Sequence, residues 1–361
     1  MRTGILGGSF DPVHQQHLQL ALAALIECCL DEVWFVPVFQ AVHKQRVGML
    51  DYHHRRHLLQ LALKDSSNMH VCDVEMELGG PSYTFRTLEV LKERHPERQF
   101  FLIIGGDSLA ELPTWKNVEQ LVEMTEFIVV ERPGCERRSP VQDAVVHWAP
   151  SQLSKISSTQ IRDRLSNHDF NLPELDMRVL LEIMLNNHYD CLGPDYYRWL
   201  KLVEKQQKRS PEGLQEHMRS VTGLAVKYAI ELGVDPRPTL IAGMAHDLFR
   251  DAPDAEIISL VGSTDFLLSD LEKETPMLAH GPAAAAWLRK VAPEIDSAVI
   301  SAVKNHTFPM VDSPLMTKIL AVADTLDPVR QVPERDALRD AGISFAERYQ
   351  GVLEIKKTSH M

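Results

Sequence analysis

The feature that most restricts this chain is a change of hydrophobic rhythm near residue 190. Before it, short apolar runs alternate with segments of helical period; after it, only helical patterns remain. The runs GILGG, EVWFVPV, FFLIIGGDS, EFIVVERPG and AVVHWAP read as strands, and Leu18–Cys29 and Tyr52–Leu63 as helices between them. Continuous apolar runs stopped by glycine mark parallel strands covered on both faces. MHVCDVEM has the alternation of a further strand. PSYT opens a helix through Arg94, with Ser82 or Thr84 as its cap, while SSTQIRDRLS and Asn171–His188 add two more helices. Gly193-Pro194 then breaks the pattern, so domains at 1–190 and 191–361 are expected. Tyr196–Lys208, Leu214–Leu232, Pro238–Phe249, Gly281–Val291, Ile295–Asn305 and Leu315–Leu326 predict an all-α second domain. At 361 residues the chain also exceeds one comfortable core.

Composition restricts the partners. A chain 44% hydrophobic and 24% charged is ordinary for a soluble globular protein. Arg2 leads directly into a strand, so no leader is expected, and LALAALIECCL is too short and too near charge to span a bilayer. Five cysteines without a CxxC pair argue against disulfides and thiolate zinc, and fit a reducing cytoplasm. A net charge of -12 disfavours nonspecific nucleic-acid binding but permits a local basic pocket for a nucleotide. A homo-oligomer is left open.

The strand ends carry the chemistry of the first domain. In TGILGGSFDPVHQQH, a strand delivers Gly7, Gly8, Ser9 and Phe10, then a helix entered by His14 and His17. Glycines and a helix N-terminus suit phosphate oxygens. The Walker lysine loop and the GxGxxG fingerprint are both absent. Later strand ends bring His43-Lys44, Gly105-Gly106-Asp107-Ser108, and Ser157-Ser158-Thr159 with Arg162. Gathered donors can hold a polyphosphate and stabilise charge during phosphoryl or nucleotidyl transfer. Singly, each segment could be structural; SSTQIR alone could be a helix cap with a solvated arginine. With no transition-metal spacing here, a magnesium ion carried by the nucleotide fits better than a protein-held one.

In the second domain polar residues occupy core faces. His217 shares a stripe with Val221 and Leu224, His306 continues Val299 and Val303, and Asp324 follows Leu320 by one turn. GMAHDLF sets His246-Asp247 near the end of an apolar helix. One buried histidine is usually a hydrogen-bonded core residue, but an unpartnered buried aspartate is costly. With His280 the set holds four histidines and two carboxylates, suited to iron, manganese or another first-row metal. Two metals could share Asp247, clamp a phosphate and activate water.

Residues 1–190 resemble bacterial nicotinate-nucleotide adenylyltransferases through GGSFDPVHQQH, VHK, PSYTFRTLEVL, IIGGDSLAELPTWK and SSTQIRDRL. The resemblance implies a Rossmann-like nucleotidyltransferase domain that moves AMP from ATP to nicotinate mononucleotide, releasing pyrophosphate. It would place His14 and His17 on the ATP phosphates, and Lys44 and Arg162 against phosphate charge. Ser157, Ser158 and Thr159 would line the nucleotide site, Asp107 would hold ribose hydroxyls, and Trp115 would lie on the pyridine ring. The family pattern has glycine where this chain has Gln16, which leaves open a first domain that binds nucleotide in a regulatory role without turnover. Residues 196–345 resemble the HD-domain phosphohydrolases, with His217, His246-Asp247, His280, His306 and Asp324 as the six-ligand dinuclear set. AHDLFRD, AHGPAAAAWL, KNHTFPM and ILAVADTLDPVR resemble the symmetrical diadenosine tetraphosphate hydrolases. That branch implies two irons, release of two ADP, and Arg250 as a phosphate contact. Thr307 and Arg330 match positions that could orient substrate or be structural. Hydrolysis of another nucleotide or phosphate ester stays open. The closing KKTSHM reads as a frayed basic tail.

Overall fold

A computed structural model describes residues 1–40, 48–131, 138–150 and 156–359. The chain separates into two units, Met1–Tyr189 and Asp190–Met361. In the first, strands β1 (Arg2–Gly8), β2 (Glu32–Pro37), β3 (Met69–Val71), β4 (Gln99–Gly105), β5 (Glu126–Glu131) and β6 (Val146–Pro150) form one parallel sheet in the order β3-β2-β1-β4-β5-β6. Around it run α1 (Gln15–Glu27), α2 (Tyr52–Ala62), α3 (Val74–Leu78), α4 (Thr84–Arg94), α5 (Gly106–Glu111), α6 (Val118–Met124), α7 (Ser158–Ser166) and α8 (Met177–Leu185). This is the parallel sheet expected from the pattern, in the Rossmann-like arrangement that the resemblance implies. Neighbours on opposite faces, Ile5 and Leu6, Phe101 and Leu102, Phe127 and Ile128, are all buried, as strands covered on both faces require. Strand order reverses between β1 and β4, so the ligand crevice of such a sheet lies beyond Gly8 and Gly105. The loop after β1 is held from below by buried Arg55 of α2. Its guanidinium donates to the carbonyls of Ser9 (2.6 Å), Val38 (2.7 Å) and Leu50 (2.9 Å), satisfying backbone groups that end no ladder.

Three local expectations change. MHVCDVEM is a strand only over Met69–Val71. Tyr52 and Arg56 bind the Asp73 carboxylate and the N–H groups of Met76 and Glu77 turn back onto the Asp73 carbonyl, so α3 starts there. Neither Ser82 nor Thr84 caps α4: Tyr83 precedes it without a side-chain cap, and Ser82 Oγ accepts from the N–H groups of Phe39 and Gln40. The segment 171–188 is helical only at Met177–Leu185, where the Asp176 carboxylate caps α8 through Arg178 N–H.

The second unit contains α9 (Pro194–Gln207), α10 (Glu212–Glu231), α11 (Pro236–Ala245), α12 (Asp254–Gly262), α13 (Asp270–Glu274), α14 (His280–Val291), α15 (Ser297–Asn305), α16 (Leu315–Thr325), α17 (Pro333–Asp340) and α18 (Phe345–Ser359). Among its described residues there is no strand. Helix α11 is buried at every position except Arg237, the mark of a central helix, and packs on α9, α10, α15 and α16. Two glycines let helices meet backbone to backbone. A Cβ on Gly243 would stand 2.9 Å from Thr222 Cα, and one on Gly281 would stand 2.9 Å from the Val303 carbonyl oxygen. Among the described residues no helix is long and apolar enough to cross a membrane.

Candidate functional sites

At the C-terminal edge of the sheet, His14 is the residue before α1, and its N–H donates to His17 Nδ1 at 3.2 Å. An Nδ1 that accepts leaves the His17 proton on Nε2, a donor. Arg162 donates to the Asp11 carbonyl (2.6 Å) and to Thr159 Oγ1 (2.8 Å), while Ser158 Oγ donates to the Pro12 carbonyl (3.1 Å). Ser157 caps α7 by accepting from Gln160 N–H. These bonds draw the N-termini of α1 and α7 together beyond β1, where two helix dipoles favour an anion. Phe10 packs its ring 5.0 Å from His17 and 5.7 Å from Phe35. Gly7, Gly8 and Ser9 end β1 or follow it. Asp107 is exposed in the first turn of α5, beyond the β4 strand that pairs with β1. Trp115, half-buried, packs against the core beneath β4. Gln16 is half-buried at the second position of α1. Lys44, with His43, lies outside the described residues.

Burial pushes His14 down to about 4 and His17 well below the usual imidazole range, so at neutral pH both are uncharged donors. In the unfolded chain the same ring takes a proton near its ordinary 6.5. The stability that neutral His14 contributes is therefore present above pH 6.5 and lost as pH falls through about 4, a change of about 3 kcal/mol. Urea titrations without nucleotide should show less acid loss in His14→Gln than in the parent protein, and an NMR titration should find the His14 ring still neutral at pH 5.5.

In the second unit five helices bring six buried ligand candidates together: His217 from α10, His246-Asp247 after α11, His280 beginning α14, His306 after α15, and Asp324 from α16. The Nδ1 atoms orient the rings. His246 donates to the Gly243 carbonyl (2.7 Å), His280 to Met277 (2.8 Å), His306 to Val303 (2.8 Å), and His217 to Asp327 Oδ2 (2.6 Å). Those oxygens accept, so in the neutral ring each Nε2 turns a lone pair inward. Asp247 Oδ2 lies 3.5 and 3.6 Å from Nε2 of His217 and His246; its Oδ1 lies 3.1 and 3.4 Å from Nε2 of His280 and His306. Asp324 Oδ1 adds to the first group, 3.4 Å from His217 Nε2. Lone pairs facing carboxylate oxygens repel unless positive charge stands between them. His246 Nε2 and Asp247 Oδ1 are buried without a hydrogen-bond partner among the described residues.

Burial pushes His246 down to about 4. On His217 burial opposes a charge, but Asp247, Asp324 and Asp327 overcome it and push the ring up to about 10. A proton there competes with Arg330, whose Nη2 donates to the same Nε2 at 3.0 Å. A cation shared by His217, Asp247 and Asp324 satisfies the lone pair without either. The two groups, His217/His246/Asp247 and Asp247/His280/His306, thus fit a pair of divalent metal ions with Asp247 common to both.

Two functional residues escape the sequence reading. Asp327 orients His217 and accepts from Ser220 Oγ; an aspartate before a proline, three residues after Asp324, was its only signal. Asp327→Ala should weaken metal binding about 10- to 100-fold, read by competition with a chelating indicator. Lys356 corrects the frayed tail: it belongs to α18, and its Nζ donates to the His306 carbonyl (3.0 Å) and reaches Asp324 Oδ2 (3.3 Å). Arg250 meets Asp247 Oδ2 at 2.8 Å and Arg330 meets Asp324 Oδ1 at 3.1 Å. Thr307 Oγ1 stands 3.3 and 3.2 Å from Nε2 of His280 and His306. Arg250, Thr307, Arg330 and Lys356 line a cavity over this centre.

Residues 5–164 match the cytidylyltransferase-like family and residues 214–329 match the HD domain. A probable nicotinate-nucleotide adenylyltransferase of Shouchella clausii is 40% identical over 165 residues, covering 46% of this chain and 84% of that protein. The nicotinate-nucleotide adenylyltransferase of Bacillus subtilis is 39% identical over 176 residues, covering 48% and 92%. A crystal structure of a predicted HD superfamily hydrolase involved in NAD metabolism, from Clostridium acetobutylicum, is 26% identical with a TM-score of 0.40, covering 44% of this chain and 83% of that one. With such identity across most of these relatives, the chain belongs to the nicotinate-nucleotide adenylyltransferase family and joins to it an HD domain.

Proposed function

We propose that the chain carries two nucleotide activities. The first unit transfers AMP from ATP to nicotinate mononucleotide, giving deamido-NAD and pyrophosphate. The second hydrolyses diadenosine tetraphosphate symmetrically to two ADP.

The observation supporting the first is the hydrogen-bonded cradle of His14, His17, Ser158, Thr159 and Arg162 at the sheet's switch point. In this reading a phosphate oxygen of the mononucleotide attacks the α-phosphorus of magnesium-bound ATP, and the bond to the β-phosphate oxygen breaks. No covalent nucleophile is needed; the protein positions the reactants and stabilises charge on the transferring group. His17 Nε2–H, His14 and Arg162 would donate to those oxygens, with Lys44 as a further cation. Asp107 would hold the ribose and Trp115 the pyridine ring. Gln16 supports the competing reading, in which nucleotide binds without turnover.

The hydrolase reading rests on Asp247, whose two oxygens face separate histidine groups. Divalent ions held there, iron or manganese by donor type, would supply Lewis acidity and an activated water. Arg250 and Arg330 would bind the phosphate chain, and Asp327 would fix the His217 ring. The pairing has a chemical motive: an adenylyltransferase that misdirects AMP onto ATP makes dinucleoside tetraphosphate, which the attached hydrolase removes.

The test is one preparation of the full chain with its metal content measured. Pyrophosphate release with nicotinate mononucleotide and formation of two ADP from diadenosine tetraphosphate are expected. Absent pyrophosphate release would favour the regulatory reading. Preference for a deoxynucleotide or cyclic dinucleotide would replace the hydrolase substrate.

A further inference from the structure

We infer that α18, which lies beyond the HD-domain match, completes the hydrolytic site through Lys356, the third arm of a clamp for a phosphate chain with Arg250 and Arg330. The inference deepens the hydrolase reading and rests on it. The three cations touch different parts of the centre. Arg250 reaches Asp247, Arg330 reaches His217 and Asp324, and Lys356 reaches Asp324 from the side of the His306 carbonyl. All three line the same cavity and meet the centre through different atoms, Asp247 Oδ2, Asp324 Oδ1 and Asp324 Oδ2.

The Lys356 ammonium is held in place. Helix α18 packs on α16, Val352 and Leu353 are buried, and Tyr349 donates its hydroxyl to the Met310 carbonyl at 2.5 Å. A lysine presents a compact charge with three donors; the His306 carbonyl and Asp324 Oδ2 take two here, and the third can serve a phosphate oxygen. A monophosphate is a single charged group for three separately anchored cations. A chain of three or more phosphoryl groups carries charge along its length and can meet all three. Lys356 therefore selects for polyphosphate chains.

The experiment compares the metal-loaded full chain with Lys356→Met, which keeps the apolar stem, and Lys356→Arg, which restores charge. Calorimetry with inorganic tripolyphosphate should show about tenfold weaker binding in Lys356→Met and recovery in Lys356→Arg, with orthophosphate changed less than about threefold. Metal content and thermal midpoint should stay unchanged. With dinucleotide, KM should rise more than kcat falls. Unchanged tripolyphosphate affinity, or a parallel loss of metal that makes Lys356 only a prop for Asp324, would overturn the inference. A parent protein that binds tripolyphosphate in a Lys356-dependent way yet leaves diadenosine tetraphosphate intact would overturn that substrate and support the clamp.

Discussion

Asp247→Asn should abolish hydrolysis, by more than about 10³-fold, while leaving adenylyl transfer within about twofold. The size follows from geometry. Each Asp247 oxygen serves a different histidine group, so one substitution weakens both cation positions. A thousandfold loss corresponds to about 4 kcal/mol of transition-state stabilisation, modest for removing the shared ligand of a two-metal centre. Elemental analysis should show a loss of bound metal with the fold intact by circular dichroism. A variant that kept both its metal and its turnover would rule out Asp247 as the shared ligand. Loss of both activities in a folded variant would defeat the assignment of separate sites.

The second large effect belongs to the other unit. His17→Asn should lower kcat for adenylyl transfer about 10²- to 10³-fold, the usual loss when one donor to a developing oxyanion is removed. Asparagine retains an acceptor for the His14 N–H that His17 Nδ1 now receives, so the entry to α1 survives. Steady-state kinetics should place the loss in kcat more than in the ATP KM, with hydrolysis unaffected. An equal rise in KM at constant kcat would mean His17 holds ATP without favouring the transition state.

The sheet was legible because its central strands are buried on both faces and β1 and β4 end in glycine, at Gly8 and Gly105, a pattern that needs no partner to read. The ligand candidates stood out for a related reason: His246-Asp247 directly follow the buried helix α11, and Asp324 sits among the buried residues of α16. What escaped depends on contacts remote in sequence. Nothing near Lys356 distinguishes it from a solvated lysine, since its partner Asp324 belongs to another helix. Glu75 and Asp73 look like the polar face of a strand, but Thr87, Tyr52 and Arg56 bind them and turn the chain into α3. Asp327 was passed over because a residue that aims a ligand carries no mark distinct from a turn cap.

On the proposed two-metal reading, a shared Asp247 makes the two positions unequal. One draws on two carboxylates with two imidazoles, the other on a single carboxylate already neutralised in part by its neighbour. Filling should then be stepwise, with the His280–His306 position the looser and the first emptied when metal is scarce. Hydrolysis would follow metal supply through that one position while adenylyl transfer did not. With the pair of activities proposed above, the ratio of dinucleotide made to dinucleotide destroyed within one polypeptide would be set by the availability of a metal ion.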